Sequence, residues 1–224
     1  PLVEFLQHVI EWRIGMFDSL QQADALANDP TRLAFGYVKG AALLIVGLWI
    51  SRFIHSGGDR RITRDISAGS VAAFIPVIVV SLALDYGQRA LGPWTGVEAL
   101  GQIGAFAAGM GLFVLGSILI ILLAGWRVGV PLRDRRMNLF TSLWRGLTVL
   151  PKGLTIYYVV FLPLLVVHTA LNVGMAFAGP GAVLWVLFAV DSLFVGYIAT
   201  ALWSVFHVIY RRGLARAKLA PVTL

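Results

Sequence analysis

From Gln102 to Trp126 the sequence reads GQIGAFAAGMGLFVLGSILIILLAGW from Gly101 onward, without one charged side chain. A bilayer core of about 30 Å is crossed by roughly 20 apolar residues in a helix, so such a run has few fates other than a membrane span. Four further runs meet the same criterion: Leu33–Ile54, Ile66–Leu84, Gly153–Met175 and Ala182–Ile209. The second is the shortest and contains Pro76; the last is the longest and is expected to tilt or to extend past the interface. Transmembrane β-strands would alternate polar and apolar residues, and none of these runs does. Only 13% of the residues are charged, about half the roughly 25% of a soluble domain, and mean hydropathy is +0.83. The expected fold is an all-α, polytopic transmembrane helical bundle of five spans.

Three regions follow. Residues 1–32 form an amphipathic interfacial helix and a loop, residues 33–210 the bundle, and residues 211–224 a basic tail. In PLVEFLQHVIEWRIGMFDSL the apolar residues Leu2, Phe5, Leu6, Val9, Met16, Phe17 and Leu20 recur at helical spacing. Glu4, Gln7, His8, Glu11 and Asp18 fall mostly off that stripe. Such a helix is too polar to span and belongs in the interface or against the bundle. QQADALANDPTR reads as a loop, and Asp134–Leu150 as a second interfacial helix with the stripe Met137, Phe140, Trp144 and Leu147.

Basic residues set the orientation. Arg52, Arg60, Arg61 and Arg64 follow the first span; Arg127, Arg133, Arg135, Arg136, Arg145 and Lys152 follow the third; Arg211, Arg212, Arg216 and Lys218 follow the fifth. The opposite side has Arg13, Arg32 and Arg89, with the acidic residues Glu4, Glu11, Asp18, Asp24, Asp29, Asp85 and Glu98. Basic loops stay in the cytoplasm. The expectation is an N-terminus outside and a C-terminus inside, in a cell inner membrane with anionic headgroups as lipid partner. Pro1 without a methionine fits initiator removal or a cut from a longer chain; a periplasmic domain or further spans ahead of it would explain an outside N-terminus lacking a signal sequence.

The net charge of +7 is accounted for by topology, so nucleic acid is not an expected partner. With no cysteine, disulfides and thiolate metal sites are excluded. No nucleophile elbow, HExxH motif or phosphate-binding glycine loop is present. The expectation is therefore no enzyme activity, no metal and no cofactor.

Gly104, Gly109 and Gly111 in the third span, and Gly36 and Gly40 in the first, lie in small-residue patterns that let membrane helices approach closely; packing within the bundle is expected ahead of a dimer interface. Pro76 and Pro163 predict fixed kinks.

Asp191 stands in the apolar run VLFAVDSLFVGY. A carboxylate at mid-membrane costs at least about 2.5–3.5 kcal/mol on insertion scales, so it must face protein or water. The short connection AFAGPGA makes the fourth and fifth spans antiparallel neighbours. Counted from that turn, His168 and Asp191 fall at equal depth. Asn172 lies one turn from His168, and Lys39 enters the same outer half from the first span. Asp191, His168, Lys39 and Asn172 form the expected intramembrane polar cluster, with Lys39 as counter-ion. Its default role is a polar pin between helices; its functional alternative is a proton or ion relay.

The stretch LLIVGLWISRFI, Leu43–Ile54, resembles the first transmembrane helix of small-conductance mechanosensitive channels, which also runs from small apolar residues into a cytoplasmic-edge arginine. The larger members carry extra membrane helices ahead of the pore. That resemblance implies a membrane arm of such a channel, without the pore. The functional expectation is the lipid-embedded part of a channel or transporter, passing ions or solute or sensing tension, within an oligomer or larger membrane complex. The alternative is an accessory or scaffold subunit that binds a partner membrane protein.

Overall fold

A computed structural model describes residues 1–94 and 101–223 of the chain. Glu98 and the side chains of Asp85, Arg89 and Ala105 lie outside the described residues. Among the described residues the secondary structure is helical: α1 (Leu2–Arg13), α2 (Leu20–Ala25), α3 (Pro30–His55), α4 (Arg60–Arg64), α5 (Ala68–Trp94), α6 (Gly101–Gly129), α7 (Leu139–Ala178) and α8 (Ala182–Arg216). Among the described residues, four helical stretches are long and apolar enough to cross a membrane: Pro30–His55, Phe106–Gly129, Leu139–Ala178 and Ala182–Arg216. The apolar stretch of α5, Ala68–Leu84, is shorter. Their apolar side chains are largely turned outward; Phe106, Val159, Val166, Val183 and Leu193 are all exposed. The protein is an all-helical bundle with the surface of a membrane-embedded molecule.

The chain divides into two compact units. One comprises Pro1–Gly47 with Tyr158–Leu202, the other Leu48–Tyr157 with Trp203–Leu224. Helices α3, α7 and α8 contribute a segment to each.

In the first unit, local sequence explains each boundary. Helix α1 stops at Arg13 because Gly15 takes a positive φ of +83°, a conformation that costs glycine nothing. The Gly15 N–H then donates to the Trp12 carbonyl at 3.0 Å and the Met16 N–H to the Glu11 carbonyl at 2.9 Å, the two bonds of a Schellman cap. The reversal carries Phe17 into the apolar core of this unit, beside Met175, Leu184 and Phe188. The stretch expected to be a loop contains α2, capped by the Ser19 hydroxyl, which accepts from the Gln22 N–H at 3.1 Å. Helix α3 opens on Pro30, with Asp29 Oδ1 accepting from the Thr31 and Arg32 N–H groups at 2.8 and 3.2 Å. Proline at the first helical position behind an Asp cap is a strong start signal.

In the second unit, α6 packs closely on the first half of α7. A Cβ on Gly146 would stand 2.7 Å from Leu122 Cα, and one on Gly129 would stand 2.6 Å from Met137 Cβ. The Ser142 hydroxyl bridges α6, accepting from the Trp126 N–H at 2.9 Å and donating to the Leu122 carbonyl at 2.7 Å. This packing revises one expectation. Asp134–Leu150 and Gly153–Met175 are not two helices; a single helix of 40 residues runs from Leu139 to Ala178, through Pro151 and Gly153. At 1.5 Å per residue it is about 60 Å long, twice the bilayer core. Ile121 of α6 lies 2.8 Å from where a Gly153 Cβ would be, so contact with α6 occupies the position that reads as a break.

Gly109 and Gly111 are exposed, and a Cβ on either would meet no atom within 4 Å. Gly36, Gly40 and Gly104 are half-buried. Pro76 and Pro163 both lie inside uninterrupted helices, α5 and α7.

Candidate functional site: a buried carboxylate–imidazole network

The site is built on the face of α1 that carries its charges. Glu4, Gln7, His8 and Glu11 follow the three- and four-residue spacing of one helical face, and all four are buried, between 1% and 5% exposed. The apolar residues Leu2, Leu6 and Trp12 are exposed instead. Helix α1 is amphipathic as its spacing predicts, but it docks through its polar side.

Three helices of the first unit meet that face. Helix α8 brings Asp191, which is fully buried. Its Oδ2 lies 2.9 Å from His8 Nε2 and its Oδ1 2.7 Å from His168 Nδ1 of α7. The other nitrogen of His8, Nδ1, lies 3.1 Å from Glu11 Oε2. From α3, Arg32 Nε donates to Glu11 Oε1 at 3.0 Å and Lys39 Nζ to Glu4 Oε1 at 3.1 Å. Arg32 and Lys39 are seven residues apart, as are Glu11 and Glu4, in opposite order; the two ion pairs are therefore rungs between helices running antiparallel along this contact. Gln7 Nε2 donates to Glu11 Oε1 at 2.8 Å. Asn172 Nδ2 donates to the His168 carbonyl at 2.9 Å and stands 3.4 Å from its Nδ1.

The protonation state of His8 follows from its partners. Both ring nitrogens face carboxylate oxygens, which only accept when ionised; satisfying both requires the imidazolium. Burial pulls the His8 pKa down, but the hydrogen bonds to Asp191 and Glu11 and the charges of Glu11 and Glu4 together outweigh it, and the pKa is raised to about 9. Burial likewise pushes the Glu11 carboxyl up, while His8, Gln7 and Arg32 hold it below its ordinary value. The His8 ring also stacks on Phe188, with centroids 5.2 Å apart and planes 19° off parallel. That stacking joins the network to the apolar core.

The structure brings together Asp191, His168 and Asn172, and adds Lys39 through Glu4 rather than through Asp191. Glu4, Gln7, His8, Glu11 and Arg32 enter the site from outside the residues expected to form it. Their signal was the period of the polar residues in α1, which equals that of its apolar stripe and leaves open which face is buried. Two acceptors of the network, Glu4 Oε2 and Gln7 Oε1, are buried without a hydrogen-bond partner from the chain. Among the described residues, Glu4, His168 and Asp191 also form a group with metal-binding potential, each bringing one ligand atom within 4.8 Å of the others.

The second unit has a cavity of about 380 Å³, lined by Ser67, Ser70, Trp126, Arg133, Met137 and Asn138 among others. There the Arg133 guanidinium donates to the Ser70 and Ser67 hydroxyls, both at 3.0 Å. Asp134, also in the lining, accepts from Arg136 Nε at 2.7 Å and from the Tyr210 hydroxyl at 2.8 Å. Burial pushes the Asp134 carboxyl up, but these bonds prevail and hold it below its ordinary value.

Comparison with protein families, with curated proteins and with solved structures gives no match.

Proposed function

We propose that the protein is the lipid-embedded, non-enzymatic part of a channel or transporter, and that the network around Asp191 is where it handles a cation. The observation that carries this reading is a set of ionisable side chains buried among helices whose outer surfaces are apolar. Placing charges in such surroundings costs several kcal/mol per ion after relaxation, and ionisable residues held inside a membrane bundle are a common mark of ion or proton pathways. Under this reading the chain lies in a cell inner membrane, N-terminus outside, with α5 as a fifth crossing, and the basic loops meet anionic headgroups. The tension-sensing version rests on the resemblance of Leu43–Ile54 to mechanosensitive channels. An oligomer or a larger complex would complete a conducting path.

The test is reconstitution of the purified chain in liposomes, with cation flux and conductance recorded under voltage and under tension. The expected result is a cation conductance that Asp191→Asn reduces at least tenfold while helix content is retained. Flux unchanged by Asp191→Asn would sink the assignment of the network. Absence of any conductance, together with stoichiometric co-purification of one membrane protein, would favour the scaffold role.

A further inference from the structure

We propose that Glu4, His168 and Asp191 form a binding site for one divalent transition-metal cation of the zinc class. This goes beyond the transport reading, because the site can hold a metal whether or not the ion crosses the membrane.

The donors come from three helices: Glu4 from α1, His168 from α7 and Asp191 from α8. Their ligand atoms lie within 4.8 Å of one another. Zinc holds nitrogen and oxygen donors at about 2.0–2.2 Å, which puts two donors of one tetrahedral shell about 3.4 Å apart. The closest donor pair, His168 Nδ1 and Asp191 Oδ1, is already nearer than that, at 2.7 Å. A bound zinc ion would replace this hydrogen bond, with the pair opening by about 0.7 Å and the third donor, within 4.8 Å, closing in.

A second observation points to a cation independently. Glu4 is 2% exposed, and its Oε1 is engaged by Lys39, yet its Oε2 is buried without a partner from the chain. Gln7 Oε1, on the same face of α1, is in the same position. Both orphaned atoms are acceptors, and a buried unsatisfied acceptor costs roughly 1–3 kcal/mol, more when charged. Only a donor or a cation relieves them.

The donor set gives the class of metal. One imidazole with two carboxylates, and no thiolate, suits zinc and its neighbours in the first transition row. Calcium takes six to eight oxygens and magnesium a near-ideal octahedron with several waters, and neither prefers a nitrogen donor. Three protein ligands leave a fourth position for water or for ligand exchange. Access exists on one side, where the His168 side chain is 25% exposed against 0% for Asp191. His8, on the second oxygen of Asp191 at 2.9 Å, would orient that ligand in the way that groups bonded to metal ligands usually do. The expectation from sequence was no metal site. The three donors are widely separated along the chain and form no motif.

The experiment uses the full chain in detergent, stripped with a chelator, freed of any affinity tag and loaded with zinc chloride alone. Elemental analysis after desalting gives the stoichiometry, and competition with a chromophoric chelator gives the affinity. One zinc per chain is expected, with affinity reduced at least tenfold in both Glu4→Gln and His168→Phe, and unchanged in Arg136→Gln of the other unit. Circular dichroism and size exclusion accompany each variant, and wild-type stoichiometry decides alone where a variant does not fold. Zinc below a tenth of an equivalent in the wild type, or tight zinc that Glu4→Gln and His168→Phe leave unchanged, would overturn the proposal.

Discussion

His8 is the residue on which the site turns. It bonds to Glu11 and to Asp191, and removing it leaves two buried carboxylates that have lost a charged partner. Breaking one partner out of a buried ionic set costs about 3–5 kcal/mol. His8→Ala is therefore expected to lower thermal stability in detergent by that order. Glu11→Gln, which keeps the shape and an acceptor oxygen, should cost less. Equal loss in the two variants would mean that packing against Phe188, and not charge, is what His8 supplies. Asp134 makes a second residue-scale prediction, in the other unit. Its carboxyl is held below its ordinary 3.8, so its contribution to stability is complete above that value and is lost as pH falls through the lower, folded pKa. Unfolding temperatures of wild type and Asp134→Asn, recorded from pH 6 down to pH 2.5, should differ most at the upper end and converge in acid. A gap that widens on acidification would contradict this linkage.

At the scale of elements, glycine has two distinct uses. Gly146 lets the backbone of α7 lie against Leu122 of α6, and an added Cβ would meet Leu122 Cα at 2.7 Å. Backbone cannot step aside as a flexible side chain does, so Gly146→Ala is expected to cost about 1–3 kcal/mol by overpacking. Gly109 faces open space; Gly109→Ala should be neutral or stabilising by up to about 1 kcal/mol through helix propensity. Thermal unfolding of the two variants side by side checks the pair, and similar losses would remove α6–α7 contact as the reason for Gly146. The same contact explains the continuity of α7. A proline and a glycine two residues apart read as a break because propensity is local, whereas here a neighbouring helix packs against the suspect turn. Helix α1 makes the complementary point: its period was legible, but the choice of buried face depended on partners from α3, α7 and α8.

At the scale of the whole molecule, topology is the property most open to test. With no native cysteine, single cysteines at positions 24 and 212 can be labelled in intact cells by a membrane-impermeant thiol reagent. Asp24→Cys is expected to label and Arg212→Cys to stay protected; the reverse pattern would invert the proposed orientation. Sequence alone determined the class of the protein. Long runs without charge are suited to a membrane only as helices, because lipid offers no partner for exposed backbone polar groups. It also placed His168 and Asp191 at equal depth, since a short turn fixes the register of two helices. What only the tertiary structure decided is the company Asp191 keeps. Depth along a helix follows from counting residues, but the direction in which a side chain points depends on every helix packed around it. Hence Lys39 bonds to Glu4 rather than to Asp191, and His8, far away in the sequence, takes the second oxygen of that carboxylate.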